Sequence, residues 1–208
     1  KVAEVTHSTR YIETGLVLKK ELKVFNEGIA FAEDDFLEMF TFPFKYGNES
    51  AFFDRSKIIL EYYAASTYFG EDVDPTGEII AENGDQFPMT VGGVLEPIPH
   101  NSSMRFDALT HFDNYLKIRD IENADWKNWV AATFVMTEGD YPQSLMDDIN
   151  QNYIEVQNKA REDFQISNYY GIQLTNLGAS TDGLRANWLS EPPPAPAVVV
   201  PLIMSFLM

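Results

Sequence analysis

The stretch "EDVDPTGEIIAENGD", Glu71 to Asp85, packs six carboxylates into fifteen residues and carries the D-x-D-x-T-G opening of a calcium loop. Hard divalent cations need several oxygen ligands with enough negative charge between them. Asp72, Asp74, Thr76 and Glu78 fall at ligand positions, and Gly77 falls at the sharp-turn position. The position that needs a bidentate Glu holds Asn83, and Gly84 and Pro88 deny the helix that should follow. The spacing is met more fully by two turns. Asp74-Pro75-Thr76-Gly77 has the residue order of a type I turn, and Asn83-Gly84 suits a two-residue hairpin loop. Strands are expected at roughly 78–82 and 85–91 as a meander, with Pro88 at an edge or bulge. A cation at Asp72, Asp74 and Glu78 would need a further carboxylate from elsewhere in the chain.

The other metal-type pattern is His111-x-Asp113. On a strand these residues would share a face, as in a two-His-one-carboxylate site. No histidine follows residue 111, so His100 would have to complete the set from upstream. The sequence reads His7, His100 and His111 instead as turn, surface or hydrogen-bonded core residues. It contains no G-x-S-x-G elbow, no P-loop and no G-x-G-x-x-G. Gly92-Gly93 reads as a bend. Carboxylate pairs for glycoside hydrolysis can be drawn freely, but sequence does not fix their separation. Aromatic residues, at 13% and including Trp126, Trp129, Tyr169 and Tyr170, suit core or interface packing. The expected catalytic, cofactor and metal sets are therefore all empty.

The net charge of -17 and a pI near 4.4 argue against nucleic-acid partners and anionic membrane surfaces. The one local basic cluster is Lys19, Lys20 and Lys23. With no cysteine, disulfides, thiolate metal sites and cysteine nucleophiles are excluded, yet no compartment is assigned. Lys1 reads as a processed or trimmed start. The tripeptides Asn48-Glu49-Ser50 and Asn101-Ser102-Ser103 match glycosylation sequons and carry little information.

The elements expected to position these residues make an α+β fold with a β-rich middle of hairpins and meander and two main amphipathic helices. Alternating Ile12, Leu16, Leu18, Leu22 and Val24 predict half-buried strands. A strand, a short helix from about Asp35 to Phe40 and an aromatic turn at Pro43 follow. Asp54 as cap, Ile58, Tyr62, Ala65 and Phe69 on one face and Gly70 at the end predict a helix over about 54–69. "MRFDALTHFDNYLKI" reads as strand, and "DWKNWVAATFVMTEGDYP" as a helical start with a strand end. Leu145, Ile149, Tyr153, Val156, Ala160 and Phe164 predict a helix over about 142–164, opened by Pro142. "FLEMFTFPF" before a capped helix resembles small cone-shaped α+β folds of the NTF2-like type, although the second half lacks their long terminal strands.

Residues 1–190 are expected to form one domain and 191–208 a Pro-rich, apolar arm. The apolar run is too short and proline-broken to span a bilayer, unless the chain continues past Met208. Together these features lead to the expectation of a non-enzymatic structural or interaction subunit of a larger assembly, such as a virion, surface or organelle complex. Protein partners or self-association would use the arm. The alternatives are an extracellular calcium- or glycan-binding module and, behind it, an acid–base hydrolase.

Overall fold

The computed structural model describes residues 5–82, 87–100, 102, 104–123, 132–138, 143–160 and 165–168. The first strand, β1 (Val5–Lys20), turns at Glu21 and Leu22 into β2 (Lys23–Ala32). A single helical turn, α1 (Phe36–Met39), leads to β3 (Phe44–Gly47), a 3-10 turn at Glu49–Phe53 and β4 (Lys57–Leu60). Then come α2 (Tyr62–Phe69), β5 (Ile79–Glu82) and β6 (Pro88–Leu95). Strand β7 (Ala108–His111) runs directly into α3 (Phe112–Arg119), and β8 (Ala132–Thr137) and α4 (Gln143–Ala160) complete the described elements. The mixed α+β class is as the sequence indicates.

Following the pairings from β1 through β2, β7, β4, β6 and β5 returns to β1, so six strands close a ring. The β2–β7 and β4–β6 pairs are parallel and the rest of the ring is antiparallel. The middle of the ring is built from short strands without alternation: all four residues of β7 are buried, as are Ile58, Ile59 and Leu60 of β4. Strands covered on both faces need such continuous apolar runs. Leu16, Leu18, Ile29, Phe31, Ile80, Val91 and Val94 belong to the core cluster, with Tyr68 of α2 and Phe112 and Tyr115 of α3. Strand β1 is long enough to serve twice. Its first part pairs with β8 and its second with β2, and Tyr11 sits in both registers, opposite Ala132 and Ala32.

These elements belong to a unit comprising 1–98 and 106–171. Residues 99–105 fall in a second unit with 172–208; there the Ser102 N–H donates to the Pro99 carbonyl at 2.9 Å.

Several local expectations change. The helix expected over 54–69 survives only as Tyr62–Phe69, because 57–60 is the buried strand β4. Asp54 does not cap a helix: its carboxylate accepts from the Ser56 N–H and hydroxyl in the turn before β4. The cap is Glu61, 6% exposed, whose carboxylate accepts the N–H groups of Tyr63 at 2.7 Å and Ile98 at 3.3 Å. "MRFDALTHFDNYLKI" holds a strand of four residues and then a helix. Leu22 and Val24 continue the alternation on paper but lie at the hairpin end, where Leu22 is 99% exposed. Gly92 and Gly93 lie within β6 rather than at a bend alone: Gly93 lets β3 lie close, where a Cβ would be 2.9 Å from the Tyr46 carbonyl oxygen, and Gly92 makes room for Ala51 and Lys57. The helix expected over 142–164 is present as Gln143–Ala160, with 161–164 outside the described residues. The helical start at Trp126 and the arm at 191–208 also lie outside them, while the strand end is β8.

A second apolar cluster is aromatic. Phe36 stacks on Tyr11 and Phe42 with ring centres 5.6 and 5.7 Å apart, and Phe40 and Tyr11 both meet Phe134 of β8 edge-on. The Tyr11 hydroxyl is fully buried there without a hydrogen-bond partner among the described residues, and burial pushes its pKa up. An unpaired buried hydroxyl costs roughly 1–3 kcal/mol of desolvation. Tyr11→Phe is therefore expected to leave stability unchanged or raise it by about 1 kcal/mol, read from urea midpoints. A clear loss would show that the hydroxyl has a partner.

Candidate functional site

The acidic stretch is spread over separate partners. Asp72 pairs with Lys45 and lies near the Tyr62 hydroxyl. Asp74 accepts the Thr76 N–H at 2.9 Å. Glu78 pairs with Lys20 of β1 at 2.6 Å. The Lys45 ammonium holds the Asp72 carboxyl below its ordinary range, and the Thr76 hydroxyl and N–H do the same for Asp74. Among the described residues no group of three or more His, Asp or Glu is arranged to hold a metal ion. The turn sits one residue later than its sequence suggests: Glu78 donates to the Pro75 carbonyl, and Gly77 donates instead to Val91 of β6. The meander itself is present, with Ile80 opposite Met89 and Ala81 opposite Pro88. Asn83-Gly84 lies outside the described residues.

The three histidines are not brought together as a ligand set. His7 lies 2.9 Å from Glu38, and His100 is exposed in the turn of the second unit. His111 and Asp113 do not alternate on a strand, because the strand ends at His111 and Asp113 is in α3. The His111 side chain caps that helix, its Nδ1 accepting the Asp113 N–H at 3.1 Å.

Around this cap lies a polar knot that no motif marks. His111 Nε2 is 3.4 Å from Asp34, and Nδ1 is 3.2 Å from the Asp113 carboxylate. Arg55 reaches Asp34 at 3.0 Å and Asp113 at 3.5 Å, so one guanidinium joins the β2–α1 connection to α3. Asn114, buried on α3, donates to the Arg55 carbonyl and to Thr110 Oγ1. Next to the knot is a cavity of about 390 Å³ whose lining includes Arg55, Ser56, Met89, Asn114 and Lys117. Its volume is at the lower end of the range for small-molecule pockets.

A carboxylate cluster occupies the β1–β2–β7 seam. A Cβ placed on Gly28 would lie 3.0 Å from Glu13 Oε1 and 3.4 Å from Asp107 Oδ2, and Asp107 accepts the Gly28 N–H at 2.7 Å. Glu27, 9% exposed, is close enough to Asp107 and to the Tyr68 hydroxyl for both to influence its proton affinity, while that hydroxyl donates to the Leu18 carbonyl at 3.3 Å. Burial first, and the neighbouring Asp107 second, raise Glu13 above the usual carboxylate range. For Glu27 burial leads again, opposed by the Tyr68 hydroxyl and reinforced by Asp107.

Raised carboxyls bind protons more tightly folded than unfolded. Their contribution is fully present below the unfolded value and is lost as pH rises through the folded one. Acidifying from about pH 7.5 toward pH 5 should therefore raise the melting temperature through this cluster, and Glu27→Gln should flatten that rise. Thermal melts of both proteins across the range check it; an unchanged slope in the variant would remove Glu27 from the effect.

The β1–β2 hairpin presents the most exposed apolar group in the described chain. Leu22 is 99% exposed, Val24 50% and Phe25 41%. The turn places Glu21 at φ 56°, a conformation that glycine or asparagine adopts more readily. The tip is braced, with Lys20 on Glu78 and Lys23 donating to the Thr67 and Tyr68 carbonyls at the end of α2.

Residues 1–152 match the model of the MacB-like periplasmic core domain. The chain belongs to that family. Solved structures share the fold. The periplasmic region of MacB from Actinobacillus actinomycetemcomitans has a TM-score of 0.58 at 12% identity, over 76% of this chain and 70% of that one. A domain described as part of a permease from Porphyromonas gingivalis has 0.57 at 20% identity, over 78% and 67%. The extracellular domain of the noncanonic ABC-type transporter YknZ from Gram-positive bacteria has 0.52 at 15% identity, over 76% and 77%. No curated protein matches the chain. The expectation of a structural or interaction subunit of a larger assembly such as a virion is overturned by the family match and the solved structures that share the fold. The family is matched over residues 1–152, whereas reasoning from absent short motifs led elsewhere. It is also not the NTF2-like type that "FLEMFTFPF" resembles.

Proposed function

We propose that this chain is the domain of an ABC-type permease that stands outside the cytoplasm and works by contacting protein partners of the transporter. The observation that carries this reading is the match of residues 1–152 to the MacB-like periplasmic core domain. The hairpin end supports it. Leu22, 99% exposed and next to Glu21 at positive φ on a braced turn, keeps an exposure that a purely structural turn has no reason to keep.

These 208 residues contain no cysteine, so an introduced one is their single thiol, and the unsubstituted permease is the labelling control. Leu22→Cys and Glu49→Cys, both at exposed sites, are introduced singly into the intact permease and treated in cells with a membrane-impermeant maleimide. If an outer membrane is present it is first permeabilised. Glu49→Cys should label fully before lysis, and Leu22→Cys should label several-fold more slowly than in the isolated chain. Labelling of Glu49→Cys only after lysis would overturn the compartment. Equal rates at Leu22 in both settings would remove the hairpin as a contact.

A further inference from the structure

We propose that α3 is held by a protonation-sensitive cap: neutral His111 accepts the Asp113 N–H through Nδ1, and protonated His111 turns Nδ1 to the Asp113 carboxylate and releases that N–H. Helix N-caps are usually Ser, Thr, Asp or Asn, none of which changes charge between pH 5 and 8. Here the cap is an imidazole, 5% exposed, and both states of Nδ1 have a partner within reach. The Asp113 N–H lies at 3.1 Å and the carboxylate of the same residue at 3.2 Å. With Nδ1 accepting, the proton sits on Nε2 and points to Asp34 at 3.4 Å. Adding a proton removes the acceptor that α3 depends on, and it leaves both nitrogens facing carboxylates.

The charged groups around the ring divide in sign. The β2–α1 connection supplies Asp34 and Glu33, α3 supplies Asp113, and the turn before β4 supplies Arg55. Lys57 of β4 is engaged by Asp54 and Arg10 of β1 by Glu33. Burial, then Arg55, hold His111 below the ordinary imidazole value, against the pull of the three carboxylates. A base depressed in the fold stabilises it above its unfolded value, about 6.5, and that contribution is lost as pH falls toward the folded one. The sign is opposite to that of Glu13 and Glu27. Acid thus loosens α3 while it firms the β1–β2–β7 seam. Because Asn114 and Lys117 are on α3, the same event frees one wall of the cavity.

Hydrogen exchange on the 208-residue chain tests this, with rates corrected for the intrinsic effect of pH. His111→Asn keeps a capping acceptor without a titrating group, and His111→Ala removes the cap at every pH. In the wild type, protection of the first turn of α3 should fall about fivefold between roughly pH 7.5 and pH 5.5, the loss expected for one cap. His111→Asn should stay protected at both values and His111→Ala at neither. Wild-type protection that ignores pH would overturn the proposal, as would an equal fall in His111→Asn.

Discussion

Gly47→Ala is expected to destabilise the domain by at least about 3 kcal/mol, among the largest effects of any single methyl group in it. Two causes add. Gly47 has φ 73°, a left-handed conformation that costs an L-residue roughly 1–2 kcal/mol. Its Cβ would also lie 2.5 Å from the Gly92 carbonyl oxygen and 2.8 Å from Gly93 Cα. Both obstacles are backbone, so no rotamer change relieves them. Relief requires β3 to lift from β6, breaking the pairing of Tyr46 with Val94 and Gly47 with Gly93 beside fully buried Leu95. Gly77 is the control. It has φ 92° but no heavy atom within 4 Å of a Cβ, so Gly77→Ala should show the backbone strain alone, about 1 kcal/mol. Urea midpoints separate the two, and equal losses would disprove the close approach of β3 to β6.

Phe36→Ala should cost about 3–5 kcal/mol, the usual range for removing a buried aromatic side chain. Phe36 is completely buried, and its ring meets Tyr11, Phe40, Phe42 and Phe52 with centres 5.3 to 6.4 Å away. Helix α1 has only four residues and no side-chain cap; Asp35, at the cap position, instead accepts the Ser8 N–H of β1. A helix this short has no stability of its own. Its anchoring ring holds it, and losing that ring should also release α1. Phe36→Leu should retain most of the burial and lose about 1–2 kcal/mol, as shape mismatch alone does. Chemical denaturation measures both. A loss under about 1 kcal/mol for Phe36→Ala would mean that the aromatic cluster collapses to fill the space.

The sequence signals that worked were local and chemical. Gly70 ended α2, and the amphipathic stripe from Leu145 located α4. The failures share one physical origin. "KIIL" is a short strand with Ile58, Ile59 and Leu60 all buried, and periodicity cannot separate such a strand from a helix until its neighbours in the ring are known. Ile58 and Tyr62 therefore looked like one helical face when they belong to a strand and the helix after it. His111-Phe-Asp113 looked like strand alternation because nothing local announces that a histidine will cap. The clusters at Glu13, Glu27 and Asp107, and at Asp34, Arg55 and His111, join residues far apart in the chain. Their visible trace was only an excess of acid. Family membership was not legible in any short motif, and the match runs over the whole of 1–152.

The double use of β1 also has a kinetic side. The β1–β2 hairpin is local and closes through a two-residue turn, so it can form early, on the microsecond scale of isolated hairpins. Strands β5 and β8 come much later in the chain and must both find β1 already laid out. The contact that completes the ring is only two residue pairs long, Leu18 with Glu82 and Lys19 with Ala81. Loop closure must be met in entropy before so small a contact returns anything, which makes ring completion a late event in folding. Until then the first strand is a template with open edges, and those edges are where a newly made chain is most exposed to pairing with another copy of itself.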